Sequence, residues 1–198
     1  MLFDKIIHFN EIDSTNLFLS RLTSKQKIKE NLVVTADFQT KGKAQGEKKW
    51  NSTKKKNLLF SLYIHDHHFD LENKSYINYI TLLALINTLE NYVNDFDIKI
   101  KKPNDILVKG GKISGVLIET KISSQKINSI IIGIGLNINQ KKFLFKENNP
   151  TSLFKLINKE LNREEVLNIF LKNFNELYNH LVKKDHEKIK DKYLNYIL

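Results

Sequence analysis

The run from Lys101 to Glu119 constrains the chain more than any other stretch. Ile106 to Val108 and Ile113 to Ile118 are apolar and rich in branched residues, and Lys109-Gly110-Gly111 lies between them. Two short apolar runs around a Gly-Gly pair read as a β-hairpin, because tight hairpin turns need φ > 0 and glycine adopts it without a Cβ clash. Pro103 lacks an N–H and biases Lys102 toward extended backbone, so residues 101–105 read as a polar loop entering that hairpin. Lys112 opens the second strand and Gly115 follows it. A lysine beside a glycine that admits a ligand to the backbone suits an anion. Lys101, Lys102, Asn104 and Asp105 nearby suit phosphates and a metal.

The rest of the chain supplies alternating short strands and amphipathic helices. Lys5–Phe9 reads as a short strand, Leu32–Ala36 as a buried one, and Asn57–Ile64 and Ile98–Lys101 as further strands. Ile127–Leu136 is nearly all apolar and reads as central to a sheet. Ser75–Val93 carries Ile77, Ile80, Leu83, Ala84, Ile86 and Leu89 at helical spacing, and these read as core. After Pro150 the pattern gives helices at Thr151–Lys159, from Arg163 to about Lys183, and from His186 onward; Leu167, Phe170, Leu171, Phe174, Leu177 and Leu181 form the stripe of the longest.

Several polar positions have two readings. Ser14-Thr15-Asn16 precede Leu17, Phe18, Leu19 and Leu22, which suggests a helix N-cap. The same helix start offers free N–H groups to a polar ligand. Gln39–Lys56 is a polar, lysine-rich loop of the kind that is usually only solvated, but Trp50 within it argues for packing against something, such as a ligand. Gly133 and Gly135 fall on one face of their strand, which leaves either a groove for a flat ligand or room for a closely packed helix. His65-Asp66-His67-His68 reads as a solvated turn and not as a metal site, since neighbours on a strand point to opposite faces.

With 198 residues the chain is one ordinary domain, and it has no cysteine, which excludes disulfides, thiolate catalysis and cysteine zinc sites. The N-terminus lacks the layout of a signal peptide and no apolar run is long enough for a bilayer, so the expected location is cytoplasmic, away from membranes. The net charge is +10. A basic surface draws nucleic acid. Arg21 and Arg163 are the only arginines, however, and base readout leans on bidentate arginine. Abundant Lys, Asn and Ile fit AT-rich coding instead, with some basic patch around a nucleotide and acidic-partner site. No sequence-specific nucleic-acid binding is expected.

Four motifs in order resemble the biotin–protein ligases. Lys101 through Glu119 is similar to that family's K-W-P-N-D…K-x-x-G-I-L-x-E signature. Asp13-Ser14-Thr15-Asn16 resembles its D-S-T-N. Gln39 through Trp50, followed by Asn57-Leu58-Leu59-Phe60-Ser61-Leu62, resembles Q-x-x-G-R-G-x-x-G-x-x-W…N-L-x-x-S. Ile132 through Asn139 resembles G-I-G-x-N-x-N. The resemblance runs from about Ile6 to about Leu153.

It implies an α+β fold: a mixed, largely antiparallel central sheet with helices packed on it. It also implies a single catalytic domain over 1–198, with a ligand-binding core at 1–150 and C-terminal helices at 151–198. No N-terminal helix-turn-helix domain and no C-terminal β-barrel are expected. The implied reaction activates biotin with ATP and Mg²⁺ as biotinyl-5′-AMP, then transfers it to a lysine of a biotin carboxyl carrier protein. A monomer or homodimer is expected. By matching position, Lys112 and Lys43 are the catalytic cations. Biotin is assigned to Ser14, Thr15, Asn16, Gln39, Gly42, Lys43, Ala44, Trp50, Lys112, Gly115, Gly133 and Gly135. ATP is assigned to Lys43, Lys101, Asn104, Asp105, Lys112 and Asn137, and Asp105 is the candidate Mg²⁺ ligand.

The chain departs from the family pattern at Lys102, where a Trp is usual, and at Ala44 and Glu47, where glycines are usual. If those two positions need φ > 0, each non-glycine costs roughly 1–2 kcal/mol and the loop orders less well; otherwise the loop takes another path using Gly46. The alternatives are a lipoate or octanoate ligase or transferase of the same fold and, from a different class, a basic nucleic-acid-binding module. Lys101 to Asp105 and Trp50 favour biotin over the first.

Overall fold

The computed structural model describes every residue except 1, 4, 47, 66–73, 94–95, 124–125 and 145–148, together with the side chains of 123 and 126. Seven strands and five helices follow in the order β1 (Lys5–Phe9), α1 (Thr15–Lys25), β2 (Leu32–Ala36), β3 (Leu58–His65), α2 (Lys74–Val93), β4 (Ile98–Lys101), β5 (Asp105–Val108), β6 (Gly111–Ser123), β7 (Lys126–Leu136), α3 (Leu153–Ile157), α4 (Arg163–Val182) and α5 (His186–Leu194). The strands form one mixed sheet in the order β1-β2-β3-β7-β6-β5-β4. β1 runs parallel to β2, whereas β2–β3, β4–β5 and β5–β6 are antiparallel. This is the α+β architecture expected from the sequence. No helix among the described residues is long and apolar enough to cross a membrane.

The chain forms two compact units, Met1–Lys74 with Val116–Gly135, and Ser75–Gly115 with Leu136–Leu198. In the first, Leu19 of α1 packs with Leu32, Val34, Tyr63 and Ile131 from the strands, and Ile7, Phe9, Phe18, Leu22 and Ile28 surround them. β2 is buried along its whole length, as its largely apolar sequence requires, and the one polar side chain on it, Thr35, is bonded to His8. Ser14 caps α1 by accepting from the Leu17 amide.

In the second unit α2 buries most of its residues, and Phe170 and Phe174 of α4 are fully buried. Tyr79 of α2 stacks on Tyr193 of α5 at 3.9 Å, and Asn173 of α4 donates to the Thr88 hydroxyl of α2. The β5–β6 turn is the hairpin read from the sequence, but the residues at positive φ are Lys109 (50°) and Gly110 (73°). Gly111 is small for another reason: a Cβ there would meet the Thr151 side chain at 2.9 Å. Residues 102–104 make a second tight turn, with Lys101 opposite Asp105 across β4 and β5, so the polar cluster joins two paired strands.

Most expected boundaries hold to within a residue, and three elements differ by more. β6 extends beyond Ile113–Ile118 because backbone pairing continues through the polar residues Glu119 and Lys121, which alternate with Ile118 and Ile122. α3 is shorter than Thr151–Lys159: Thr151 is tied to the Lys112 carbonyl, Ser152 is the cap, and Asn158 turns left-handed at φ 51°. The last helix stops at Leu194. Beyond it Ile100 of β4 donates to the Tyr196 carbonyl and accepts from the Leu198 amide, and Ile197 bridges Ile100 in parallel.

Candidate functional site

The first unit gathers a polar cluster at the start of α1. Ser14, Thr15 and Asn16 are each at most 3% exposed. Gln39 accepts from the Thr15 amide (2.7 Å) and the Thr15 hydroxyl (3.1 Å) through Oε1. The Ser61 hydroxyl of β3 lies 2.6 Å from Thr15 Oγ1 and 2.5 Å from Asn16 Oδ1. Beside it, Asp13 takes a two-pronged bond from Arg21 and accepts from the Ser14 amide. The Arg21 guanidinium is the main reason that the Asp13 carboxyl titrates below its ordinary range.

Residues 42–44 pair with residues 48–50. Trp50 donates to the Gly42 carbonyl, Ala44 donates to the Lys48 carbonyl, and Lys43 bridges Lys49 antiparallel. Gly42 has to be glycine here, since a Cβ would press on the Trp50 carbonyl at 2.6 Å. Gly46 carries the positive φ of the turn, at 66°. Ala44 is not among the left-handed residues, so the strain anticipated at that position is absent. Glu47, the other departure, lies outside the described residues, as do Asp66, His67 and His68. Among the described residues no three His, Cys, Asp or Glu side chains group to hold a metal ion.

Glu119 of β6 joins helix and loop. Its Oε2 accepts from Asn16 Nδ2 at 2.7 Å, and its Oε1 holds Lys43 Nζ at 2.7 Å. Asn16 also fills the space above Gly133, where a Cβ would overlap its amide, and the Trp50 indole does the same above Gly135. The two small residues therefore serve close approach of one helical side chain and of the loop tryptophan to β7. The face is occupied by Asn16 and Trp50, which is the close-packing reading rather than an open groove.

The second unit gathers the other candidates. Lys112 and Asp105 form an ion pair at 2.7 Å with side chains 20% and 18% exposed, sheltered enough for the attraction to escape full solvent screening. The β5–β6 register shifts between Ile106 and Leu107: Leu107 faces Lys112, and Ile106 faces Ser114. That irregularity places an extra residue, Ile113, on β6, a device that re-aims neighbouring side chains. Lys112 is fixed further by bonds from its amide to the Asn149 carbonyl and from the Thr151 amide to its own carbonyl. Gly115 pairs with Asp105 across the ladder. Asn137 is buried and donates to the Thr151 carbonyl at 3.0 Å. Lys101 is exposed and Asn104 half-buried at the neighbouring turn.

Sequence reasoning passed over Ser61 and Glu119 as site residues. A buried hydroxyl within the apolar run Leu58–Ile64 was the available signal for Ser61. Glu119 stood at the end of a recognised motif, but its partners lie 103 and 76 residues away in the chain, and nothing local names them.

A model of the biotin/lipoate A/B protein ligase family matches residues 8–137. The bifunctional ligase/repressor BirA of Bacillus subtilis is 27% identical over 176 residues, covering 87% of this chain and 53% of that protein. Biotin–protein ligase 2 of Arabidopsis thaliana is 26% identical over 178 residues, covering 81% of this chain and 49% of its own. The solved structure of biotin protein ligase from Aquifex aeolicus in complex with biotin and ATP matches with a TM-score of 0.82 at 28% identity, over 98% of this chain and 79% of that one. The chain spans about half the length of the curated relatives it matches.

Proposed function

The chain belongs to the biotin/lipoate A/B protein ligase family, and from that premise we propose that it activates biotin with ATP and transfers it to a lysine of a biotin carboxyl carrier protein. The observation that carries this reading is the cluster of buried Thr15, Asn16 and Ser61 with half-buried Gln39, beside Gly133 and Trp50. A ureido ring presents two N–H donors and a carbonyl, and hydroxyl and amide groups on a rigid helix start match it. The dithiolane of lipoate or the alkyl chain of octanoate would gain nothing from such polar groups. Ser14 acts through its cap, which holds Thr15 and Asn16 in place. Gly42 and Ala44 carry the turn that brings Trp50 back toward β7.

In the first step a biotin carboxylate oxygen attacks the α-phosphorus of ATP, and pyrophosphate leaves with the bond it breaks. In the second, a lysine amine attacks the acyl carbon, an amide forms, AMP leaves and the amine loses a proton. Both steps accumulate negative charge on phosphate oxygens, and fixed cations are the groups that stabilise it. Lys112 is assigned that role for the carboxylate and α-phosphate, with Lys43 and Lys101 as further cations, Gly115 admitting ligand to the backbone, and Asn104 and Asn137 toward the nucleotide. Mg²⁺ typically takes one or two protein carboxylates plus substrate phosphates. Asp105, paired with Lys112 at 2.7 Å, is the one carboxylate assigned to that ion, and it would have to share its oxygens with the lysine. When bound with ATP, Mg²⁺ supplies charge neutralisation.

The test is exchange of label between pyrophosphate and ATP. Exchange that needs both biotin and Mg²⁺ is the expected result. Exchange that proceeds with lipoate or octanoate in place of biotin, or without any acid, refutes the proposal.

A further inference from the structure

We propose that Glu119 is a positioning residue of the biotin site, one carboxylate that sets both the ligand-facing amide of Asn16 and the loop cation Lys43. The inference rests on the function proposed above for that site. Glu119 does not itself meet substrate in this account. It acts through the two groups it holds.

Three observations carry it. First, the two oxygens are divided: Oε2 accepts from Asn16 Nδ2 and Oε1 pairs with Lys43 Nζ, each at 2.7 Å. Second, Asn16 is held at both ends, with its Oδ1 against the Ser61 hydroxyl and its Nδ2 on Glu119, so the carboxylate fixes which way the amide faces. Asn16 also lies over Gly133, where a rotated amide would have little room. Third, Lys43 belongs to the folded-back segment 42–50, whose own tethers are the Trp50-to-Gly42 and Ala44-to-Lys48 bonds. The ion pair ties that segment to β6. An anion brought by the ligand competes with Glu119 for Lys43, so the same carboxylate that holds the loop before binding sets the cost of recruiting its cation.

The Lys43 and Glu119 side chains are 36% and 35% exposed, so the tie is a partly screened pair and its effect is modest. In ligand-free protein at low salt, Glu119→Gln is expected to speed amide exchange at Ala44 and Trp50 by about two- to five-fold. In roughly 1 M salt, where the screening length falls to about 3 Å, the difference from wild type should close. A packing role would not respond to salt. Unchanged exchange in Glu119→Gln at low salt, or a difference that persists undiminished at high salt, overturns the tether.

Calorimetric titration with biotin reads the other half. Glu119→Ala is expected to bind biotin about ten-fold more weakly, because the Asn16 amide loses its acceptor. Glu119→Gln should recover most of that loss, since its amide oxygen still accepts from Asn16. Wild-type affinity in Glu119→Ala overturns the assignment to Asn16. Wild-type protein that binds no biotin refutes the proposed function instead, and the exchange arm still decides whether Glu119 tethers Lys43.

Discussion

Replacing Gly133 by alanine puts a methyl group into the space that the Asn16 amide occupies. That amide cannot move away freely. It is 3% exposed, bonded to Ser61 through Oδ1 and to Glu119 through Nδ2. Forcing a carbon into a filled site typically costs about 1–3 kcal/mol. If Asn16 swings aside instead, its two hydrogen bonds are lost at about 1 kcal/mol each. Either route gives a destabilisation of about 2 kcal/mol, roughly thirty-fold in the folding equilibrium. Urea denaturation should show a lower midpoint with an unchanged slope. The cause is isolated by repeating the substitution in an Asn16→Ala background, where the space is open. There Gly133→Ala should cost less than about 0.5 kcal/mol, because the coupled contact no longer exists. Biotin affinity should fall in the single Gly133→Ala variant along with stability. A cost below about 0.5 kcal/mol in the wild-type background, or an equal cost in both backgrounds, refutes the reasoning that Asn16 is what requires glycine at this position.

Lys112→Ala should lower biotin-dependent pyrophosphate exchange by about a hundred- to a thousand-fold while the far-ultraviolet circular dichroism is retained; near wild-type exchange would pass the role to Lys43 or Lys101. Tyr196 is expected to make the C-terminal segment sensitive to alkali. Burial, together with its 2.7 Å hydrogen bond to Glu90 and that carboxylate's charge, pushes the phenol up to about 12 from 10.0. A folded-state value raised above the unfolded one gives stability that is complete below pH 10 and drains away as the pH rises toward 12. The urea midpoint should therefore fall over that window, and Tyr196→Phe, which has no proton to lose, should flatten the dependence.

Elements whose identity depends on local pattern were legible from the sequence, and contacts made at long range were not. Leu32–Ala36 is a strand because Leu32, Val33, Val34 and Ala36 are apolar and the whole run is buried, and the boundaries match. The Lys109-Gly110 turn announces itself through one glycine in a tight loop. α3 did not, because what makes it start late is the capture of Thr151 by Lys112, far back in the chain. The same holds in the site. Ser14 was readable as a cap, and Gly133 and Gly135 as positions of close approach. That Asn16 and Trp50 make those approaches, and that Glu119 joins Asn16 to Lys43, depends on strand order and register. The Ala44 departure counts for less than the sequence pattern suggested, since the turn's positive φ falls on Gly46.

The pairing of residues 196–198 with Ile100 has a further consequence for how this sheet meets other sheets. An uncovered edge strand is a template on which a second chain can add its own strand, in productive assembly or in aggregation. β4 stands at one end of the strand order, and the chain's own last residues already take both the donor and the acceptor of Ile100. Strand addition at that point is blocked unless the tail is first peeled away. At the other end β1 pairs on one side only, with β2, and Ile6 on it is 51% exposed. Among the described residues, the C-terminal segment covers the β4 edge at Ile100, whereas Lys5–Phe9 is paired only with β2, so strand addition is easier at the β1 edge.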